Sequence, residues 1–161
     1  MVPKMFARPL TAALLVLCLA LPAQAACRLP AGAEAAKAEV LAAINAIRTG
    51  KGLAALRADK RLEAAAQGHA CDSAAAGRMD HVSPDGRRMQ DRVDATGYNW
   101  RELAENIALG QTSGNGVVRD WLQSPPHRKN MMMRAVRDAG VGVAVQADGK
   151  IHWVLNVARG R

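Results

Sequence analysis

Two segments near the C-terminus constrain the fold most strongly. Ala139–Gln146 and Ile151–Val157 place apolar side chains at alternate positions, which is the period of a β-strand. Asp148-Gly149, between them, is a sequence that favours the tight turn of a hairpin. The chain is therefore expected to contain an antiparallel hairpin, and its helices must pack against the sheet to which that hairpin belongs.

The residues upstream of this hairpin show helical spacing in three stretches. Residues expected to face the core recur every three or four positions: Val40, Leu41, Ile44 and Ile47; then Leu62, Ala65, Ala66, His69 and Ser73; then Val117, Val118, Trp121 and Leu122. Asp59 is expected to cap the second helix and Gly77 to end it. A short helix is expected after Met89, and an extended segment over residues 103–108. This order predicts a layered α+β domain.

The N-terminus has the pattern of an export signal. Lys4 and Arg8 precede an apolar run that ends before Pro22, and Ala23-Gln24-Ala25 supplies the small residues of a cleavage site. The run is about twelve residues long, too short to cross a bilayer as a helix. We therefore expect a cleaved signal peptide over 1–25, a tail over 26–36, one domain over 37–161, no transmembrane helix in the mature chain, and a secreted or periplasmic location.

Cleavage after Ala25 would leave two cysteines, Cys27 and Cys71. An even pair in an exported protein predicts a disulfide. Two unpaired thiols are one alternative, because the separation of the two Cα atoms cannot be derived from sequence. A lipid-modified Cys27 is another, although Gln24 stands where a lipid-attachment signal requires an aliphatic residue.

The charge of the chain favours contact with anionic surfaces. The loss of Lys4 and Arg8 takes the formal net charge from +8 to +6. Aromatic residues are scarce, with three Trp, one Tyr and one Phe, so the chain lacks the stacking platform that single-stranded nucleic acids require. We expect an extracellular or envelope ligand and no nucleic-acid partner.

Three polar residues stand beside rigid turn chemistry or within apolar sequence: His81, Glu105 and His127. Burial of Glu105 would be costly without a partner, and two histidines with one carboxylate form a common ligand set for zinc. The alternatives are a solvated Glu105 and histidines that are simply hydrogen-bonded. His69 is expected to be a packed, hydrogen-bonded residue, and His152 to face solvent from an edge strand, opposite Trp153.

A series of short motifs runs through nearly the whole chain after Ala25. In order, they are Ile44-Asn45-Ala46-Ile47-Arg48, Gly52-Leu53, Leu56, Leu62, Ala66, His69, Asp80-His81-Val82-Ser83-Pro84-Asp85-Gly86, Arg92, Gly97-Tyr98, Glu105-Asn106-Ile107-Ala108, the residues from Trp121 to Asn130, Gly140-Val141-Gly142-Val143 and Trp153. In this order and spacing they resemble the CAP superfamily of cysteine-rich secretory, antigen 5 and pathogenesis-related proteins, specifically its small bacterial extracellular members with an SCP-like domain.

The resemblance implies an α-β-α sandwich, with a small antiparallel sheet between helical layers. It also implies a central cleft with two histidines, matched by His81 and His127, and two glutamates. Glu105 matches the first glutamate, whereas Ser124 stands where the second is found, and Ala104 replaces a glycine before Glu105. Three of the four polar groups of the cleft are therefore present.

The remaining candidate residues have two interpretations each. Asn106 is expected to bond backbone near the cleft and orient Glu105, or to be a plain strand-end residue. Ser124 is expected to cap a short helix that begins with proline, or to act as a nucleophile beside His127. Asn45 and Arg48 are expected to tie the first helix to a neighbouring loop.

The resemblance favours a non-catalytic module that binds a lipid, glycan or protein ligand of the cell envelope. The alternative is a metal-dependent or acid–base hydrolase, with Glu105 as base and His81 and His127 as metal ligands or acid. Adhesion to anionic surfaces through net charge is a third hypothesis. The binding module requires no cofactor. A divalent metal such as zinc is the cofactor that His81, His127 and Glu105 would bind.

Overall fold

The computed structural model describes residues 27–161, so the expected signal peptide lies outside the described residues. The described residues form five helices and four strands, in the order α1 (Ala33–Gly50), β1 (Arg57–Ala58), α2 (Lys60–Ala76), α3 (Met89–Asp94), β2 (Trp100–Leu109), α4 (Gly114–Gln123), α5 (Pro125–Met131), β3 (Asp138–Val145) and β4 (Ile151–Gly160). Among these described residues, no helix is both long and apolar enough to cross a bilayer.

Local sequence accounts for the ends of the second helix. The Asp59 carboxylate accepts hydrogen bonds from the backbone N–H groups of Arg61 and Leu62 at the start of α2, and Gly77 ends the helix at a φ of 64°. Both predicted boundaries of α2 are confirmed. Helix α1 begins at Ala33, inside the segment expected to be a tail.

The sheet has the strand order β1-β3-β4-β2. Strand β4 is antiparallel to β3 and to β2, which confirms the predicted hairpin, and the two-residue β1 adds a parallel contact to β3. Residues of α1 and α4 share one core with Val143, Trp153 and Leu155 on one face of the sheet. The α2 helix packs on the other face, so the predicted α-β-α sandwich is confirmed.

Helix α2 lies directly on the backbone of β3. A Cβ atom at Gly140 would overlap the backbone of Leu62, and one at Gly142 would overlap the backbone of Ala66. Small residues on both elements therefore allow the close approach, as the alanine-rich sequence of α2 suggested.

The expectation that His152 faces solvent is wrong. Strand β4 is an inner strand, covered by helices on both faces, and His152 is buried. Its Nε2 lies 2.9 Å from Oε1 of Gln146, and burial lowers the pKa of the imidazole. Trp153, on the opposite face, is buried as well.

The disulfide prediction is confirmed. Cys27 is bonded to Cys71 of α2, with the two Cα atoms 5.2 Å apart. Beside this bond the carbonyl of Arg28 accepts a hydrogen bond from the N–H of Val145, which lies at the outer edge of β3. The N-terminal tail is therefore fixed to the domain.

Candidate functional site

The site is centred on Glu105 in strand β2, which forms the edge of the sheet opposite to β1. Along β2, Leu103 and Ile107 pack with core residues of α2, while Ala104 and Ala108 pack with those of α1 and α4. Because side chains alternate along a strand, Glu105 points to the α2 side. Its side chain is only 2% exposed, so its charge requires partners.

Both oxygens of this carboxylate are engaged. Oε1 of Glu105 accepts a hydrogen bond from Nδ1 of His81 at 2.9 Å, and Oε2 accepts one from Nη2 of Arg92 at 2.7 Å. Arg92 is as buried as Glu105, so the two form a charge-assisted pair away from water. The sequence indicated that a buried Glu105 would need a partner, but it did not identify Arg92.

Arg92 also shapes the segment that carries His81, the loop of residues 77–88 between α2 and α3. Its Nη1 donates to the carbonyl of His81 at 3.2 Å, to Oγ of Ser83 at 3.2 Å and to the carbonyl of Arg87 at 2.9 Å. Arg92 belongs to the series of motifs found in the sequence, but no pattern there indicated its burial or its partner. One guanidinium therefore positions the loop and neutralises Glu105.

His69 holds the same loop from the other side. Its Nε2 lies 2.8 Å from the carbonyl of Asp80, which can only accept, so Nε2 carries the proton. Its Nδ1 lies 3.1 Å from Oγ of Ser83, whose hydroxyl can donate to it. Burial lowers the pKa of His69, and the charge of Arg92 contributes to that shift. The prediction of a packed, hydrogen-bonded His69 is confirmed.

His81 is the exposed member of the group, with a side chain 58% exposed. The hydrogen bond to Glu105 raises its pKa, and burial opposes that shift. Since the carboxylate accepts at Nδ1, the second ring nitrogen, Nε2, is directed away from that bond and remains available to a ligand.

His127 reaches the site from α5, which is attached to β2 by two asparagines. Nδ2 of Asn106 donates to the carbonyl of His127 at 3.0 Å, and Nδ2 of Asn130 donates to Oδ1 of Asn106 at 3.0 Å and to the carbonyl of Glu105 at 3.2 Å. Burial lowers the pKa of His127, and the charge of His81 adds to this effect. The expected hydrogen bond from Asn106 to the backbone is present, and it positions α5. The side chain of Glu105 is oriented by Arg92 and His81 and not by Asn106.

A cleft of about 570 Å³ opens in front of these residues. Among the residues that line it are His81, Val82, Arg88, Met89, Glu105 and Asn130. Of the candidates from sequence, His81 and Glu105 line the cleft, whereas Asn106, Ser124 and His127 are not among its lining residues. Ser124 occupies the cap position of α5, but its hydroxyl makes no capping hydrogen bond.

The Glu105 carboxylate is not free to join His81 and His127 as a metal ligand. Glu105 has given both oxygens to His81 and Arg92, and a cation bound there would meet the Arg92 guanidinium. Within residues 27–161, no three or more His, Cys, Asp or Glu side chains are grouped so that they could hold a metal ion. The Glu105 carboxylate instead fixes the orientation of the His81 ring through its hydrogen bond to Nδ1.

Comparison with known proteins identifies the family of the chain. The family model described as the cysteine-rich secretory protein family matches residues 41–157. YkwD of Bacillus subtilis (strain 168), an uncharacterized protein, is 32% identical over 113 residues, which are 70% of this chain and 44% of that protein.

Solved structures agree with the fold. An extracellular protein containing a SCP domain from Bacillus anthracis superposes with a TM-score of 0.71 at 26% identity, over 78% of this chain and 41% of that one. An outer surface protein from Borrelia burgdorferi superposes with a TM-score of 0.70 at 21% identity, over 76% of this chain and 90% of that one. The chain thus spans less than half the length of the two Bacillus proteins. It belongs to the cysteine-rich secretory protein (CAP) family.

Proposed function

We propose that the chain is a secreted or periplasmic, non-catalytic module that binds a ligand of the cell envelope in the cleft beside His81 and Glu105. Its structural relatives include an extracellular protein and an outer surface protein, and its disulfide suits an oxidising compartment. Export also rests on the signal peptide expected over residues 1–25, so the protein recovered from its host should begin at Ala26.

The observation that carries the proposal is the engagement of Glu105. A general base must reach the proton of a substrate with an accessible oxygen, and the side chain of Glu105 is only 2% exposed. Here His81 occupies one oxygen of Glu105 and Arg92 the other, at 2.9 and 2.7 Å. Proton abstraction would compete with these two charge-assisted bonds, whereas a binding site gains rigidity from both.

The other elements of a catalytic centre are also missing from the described residues. No hydrogen bond joins Ser124 to His127, so no activated nucleophile is formed. The imidazole of His127 makes no hydrogen bond to any residue between Cys27 and Arg161 that could orient it as a base. A hydrolase that uses Glu105, His81 and His127 is the alternative function.

A turnover assay on the disulfide-bonded protein from Ala26 to Arg161 tests the proposal. Model esters, peptides and glycosides are offered with and without zinc, to the wild type and to Glu105→Gln. The proposal expects no turnover above that of buffer, either in the wild type or in Arg119→Gln, a control on the exposed face of α4. Hydrolysis that disappears in Glu105→Gln would establish the alternative.

A further inference from the structure

The outer edge of β3 is covered by neighbouring segments along most of its length. Every second residue of this strand directs its backbone N–H and C=O away from β4. The C=O of Ala139 accepts a hydrogen bond from the N–H of Asp59 at 2.9 Å, and the N–H of Val145 donates to the C=O of Arg28 at 2.8 Å. Two valines lie between Ala139 and Val145 in the same orientation, and they decide whether the edge is open.

Only one of these two valines is covered. The carboxamide of Gln67, on α2, accepts a hydrogen bond from the N–H of Val143 at 3.2 Å and donates one to its C=O at 2.8 Å. No group among residues 27–161 forms a hydrogen bond with the N–H or the C=O of Val141. Val141 is only 5% exposed, and buried backbone groups are almost always paired. Its two backbone groups therefore point to a bound partner.

A slot of about 210 Å³ gives access to Val141 between α1 and α2, and we call it the edge slot. Its walls are small or partly buried apolar side chains, Ala38 and Leu41 of α1 and Ala58 of β1. These side chains surround a space that suits a short aliphatic group, and Val141 lies at its end with two groups that can form hydrogen bonds.

The charges around the edge slot cancel one another. They belong to two lysines and two glutamates, which are joined by ion pairs at 2.8–3.1 Å: Lys37, Lys60, Glu34 and Glu63. Because both signs are present in equal number, the slot attracts neither anions nor cations. A ligand with a neutral polar end is therefore favoured over a carboxylate or an amine.

The covered neighbours of Val141 exclude a peptide strand as the ligand. Only one residue of the edge is open, because Ala139 and Val143 are already paired on either side. A peptide group is trans, so its own N–H and C=O point in opposite directions and cannot both face Val141. A primary carboxamide carries an N–H and a C=O on the same side, and Gln67 demonstrates at Val143 that such a group fits this edge.

We infer that the edge slot binds a primary carboxamide on a short aliphatic stem, the group that ends a glutamine side chain. The carboxamide oxygen accepts from the N–H of Val141, its NH2 group donates to the C=O, and the stem lies against Ala38, Leu41 and Ala58. The slot lies on the β3 side of the sheet, away from the cleft at β2, and the inference is independent of the proposed function.

Titration with propionamide tests the inference, with the chemical shift of the Val141 amide in NMR spectra as the readout. The shift should saturate, with a dissociation constant in the millimolar range because so small a ligand makes few contacts. N-methylacetamide, an isomer of propionamide with a trans amide, should bind at least about tenfold more weakly, the effect of one lost hydrogen bond. Equal, non-saturating shifts with both isomers would show that the slot holds only water and would overturn the inference.

Ala38→Leu fills the edge slot and should weaken the binding of propionamide at least about tenfold. Ala46→Leu is the matched control, because Ala46 is an exposed alanine further along α1 that does not line the slot. Both variants keep a residue of high helix propensity, and the NMR spectrum verifies that each is folded. Equal affinity in Ala38→Leu and the wild type would contradict binding in the slot.

Gln67→Ala removes the internal carboxamide and frees the N–H and C=O of Val143. Propionamide should then shift the Val143 amide as well, whereas this amide should not respond in the wild type. The absence of a response at Val143 in Gln67→Ala would show that the edge does not select a carboxamide, and the ligand class would be wrong.

Two further probes separate the sources of the carboxamide. Free glutamine tests an amino acid, and the tripeptide Gly-Gln-Gly, blocked at both ends, tests a side chain presented by a protein. Binding of either probe that is lost in Ala38→Leu supports the inference and identifies the source. If propionamide binds and both probes fail, the slot has no room for the backbone that carries the stem, and the assignment to glutamine is wrong.

Discussion

Two buried arginines, Arg48 and Arg92, serve different purposes in this fold. Arg48 is 0% exposed and donates only to backbone carbonyls, those of Ala54, Met131, Met133 and Val136, at 2.7–3.4 Å. Arg92 is 2% exposed and donates to the 77–88 loop and to the Glu105 carboxylate. Arg48 therefore joins distant segments of the backbone, whereas Arg92 joins a loop to an ionised group.

This difference has a physical consequence. Carbonyl groups of the backbone remain when a side chain is replaced, so the partners of Arg48 cannot be removed with it. The partner of Arg92 is a side chain, and both members of a buried ion pair can be replaced together at much lower cost than one. The first arginine is part of the scaffold, and the second belongs to a pair whose two members can be replaced together.

The largest effect is expected for Arg48→Met. Four backbone carbonyls, two of them in fully buried hydrogen bonds, would lose their donor, each at a cost of roughly 1–3 kcal/mol, so the free energy of unfolding should fall by about 4 kcal/mol. Urea denaturation followed by circular dichroism measures the loss. Arg119→Met, on an exposed surface, should change stability by less than about 0.5 kcal/mol. A loss below about 1 kcal/mol for Arg48→Met would show that water replaces the donor.

Arg92→Met should be the next most damaging change, with a loss of about 3 kcal/mol because Glu105 would stay buried with only His81 as a partner. A second substitution, Glu105→Gln, should restore at least about 1 kcal/mol. Glu105→Gln added to Arg48→Met should restore no stability, because Arg48 and Glu105 share no hydrogen-bond partner. Equal recovery in both backgrounds would remove the distinction between the two arginines.

A smaller effect is expected in the titration of His81. Its pKa is raised above the usual value near 6.5 by the hydrogen bond to Glu105, so Glu105→Gln should lower it, as measured by NMR. A raised pKa means that the folded state holds the proton more tightly. The resulting stability is present below about pH 6.5 and is lost as pH rises through the folded pKa. It is a minor contribution, because the side chain is 58% exposed and solvent screens it.

Arg48 provides the internal control for this pH dependence, since all of its hydrogen-bond acceptors are carbonyls, which do not titrate. Arg48→Met should leave the pKa of His81 unchanged. Arg92→Met should raise it further, because the positive charge of Arg92 lowers the pKa of His81 in the wild type. A fall in Arg92→Met would contradict the arrangement of charges around Glu105.

The smallest effect is the one that zinc should have on the wild type. Arg92 already occupies the position of a cation beside Glu105, so an equimolar amount of zinc should leave Tm unchanged near neutral pH. Arg92→Met, which frees an oxygen of Glu105 beside His81, should gain a measurable increase in Tm with zinc. If the wild type forms a 1:1 zinc complex that is lost in His81→Ala and in Glu105→Gln, the hypothesis of a three-ligand metal site would be supported instead.

Several features of the fold could be predicted because they depend on neighbouring residues. Asp59 and Gly77 determine the ends of α2 through hydrogen bonds and backbone conformation within one turn. The spacing of apolar residues determined the hairpin of β3 and β4, and an even pair of cysteines predicted the disulfide. The order of many short motifs indicated the family.

The site was only partly predictable. Sequence pattern identified Glu105 and His81 and indicated that a buried carboxylate needs a partner, but Arg92, Arg88 and Asn130 received no role. These three residues are inconspicuous in local sequence, since a lone arginine or asparagine is usually solvated. Their importance arises from the contact of α3 and α5 with the edge strand β2.

The sequence by itself predicted most of the helices and strands, the disulfide and the family. The tertiary structure decided the sheet order, which places β4 inside and buries His152, and the pairing of Arg92 with Glu105. The physical reason is that helix ends and turns are stabilised by hydrogen bonds within a few residues. The cost of a buried charge or imidazole depends instead on which distant groups the fold brings against it.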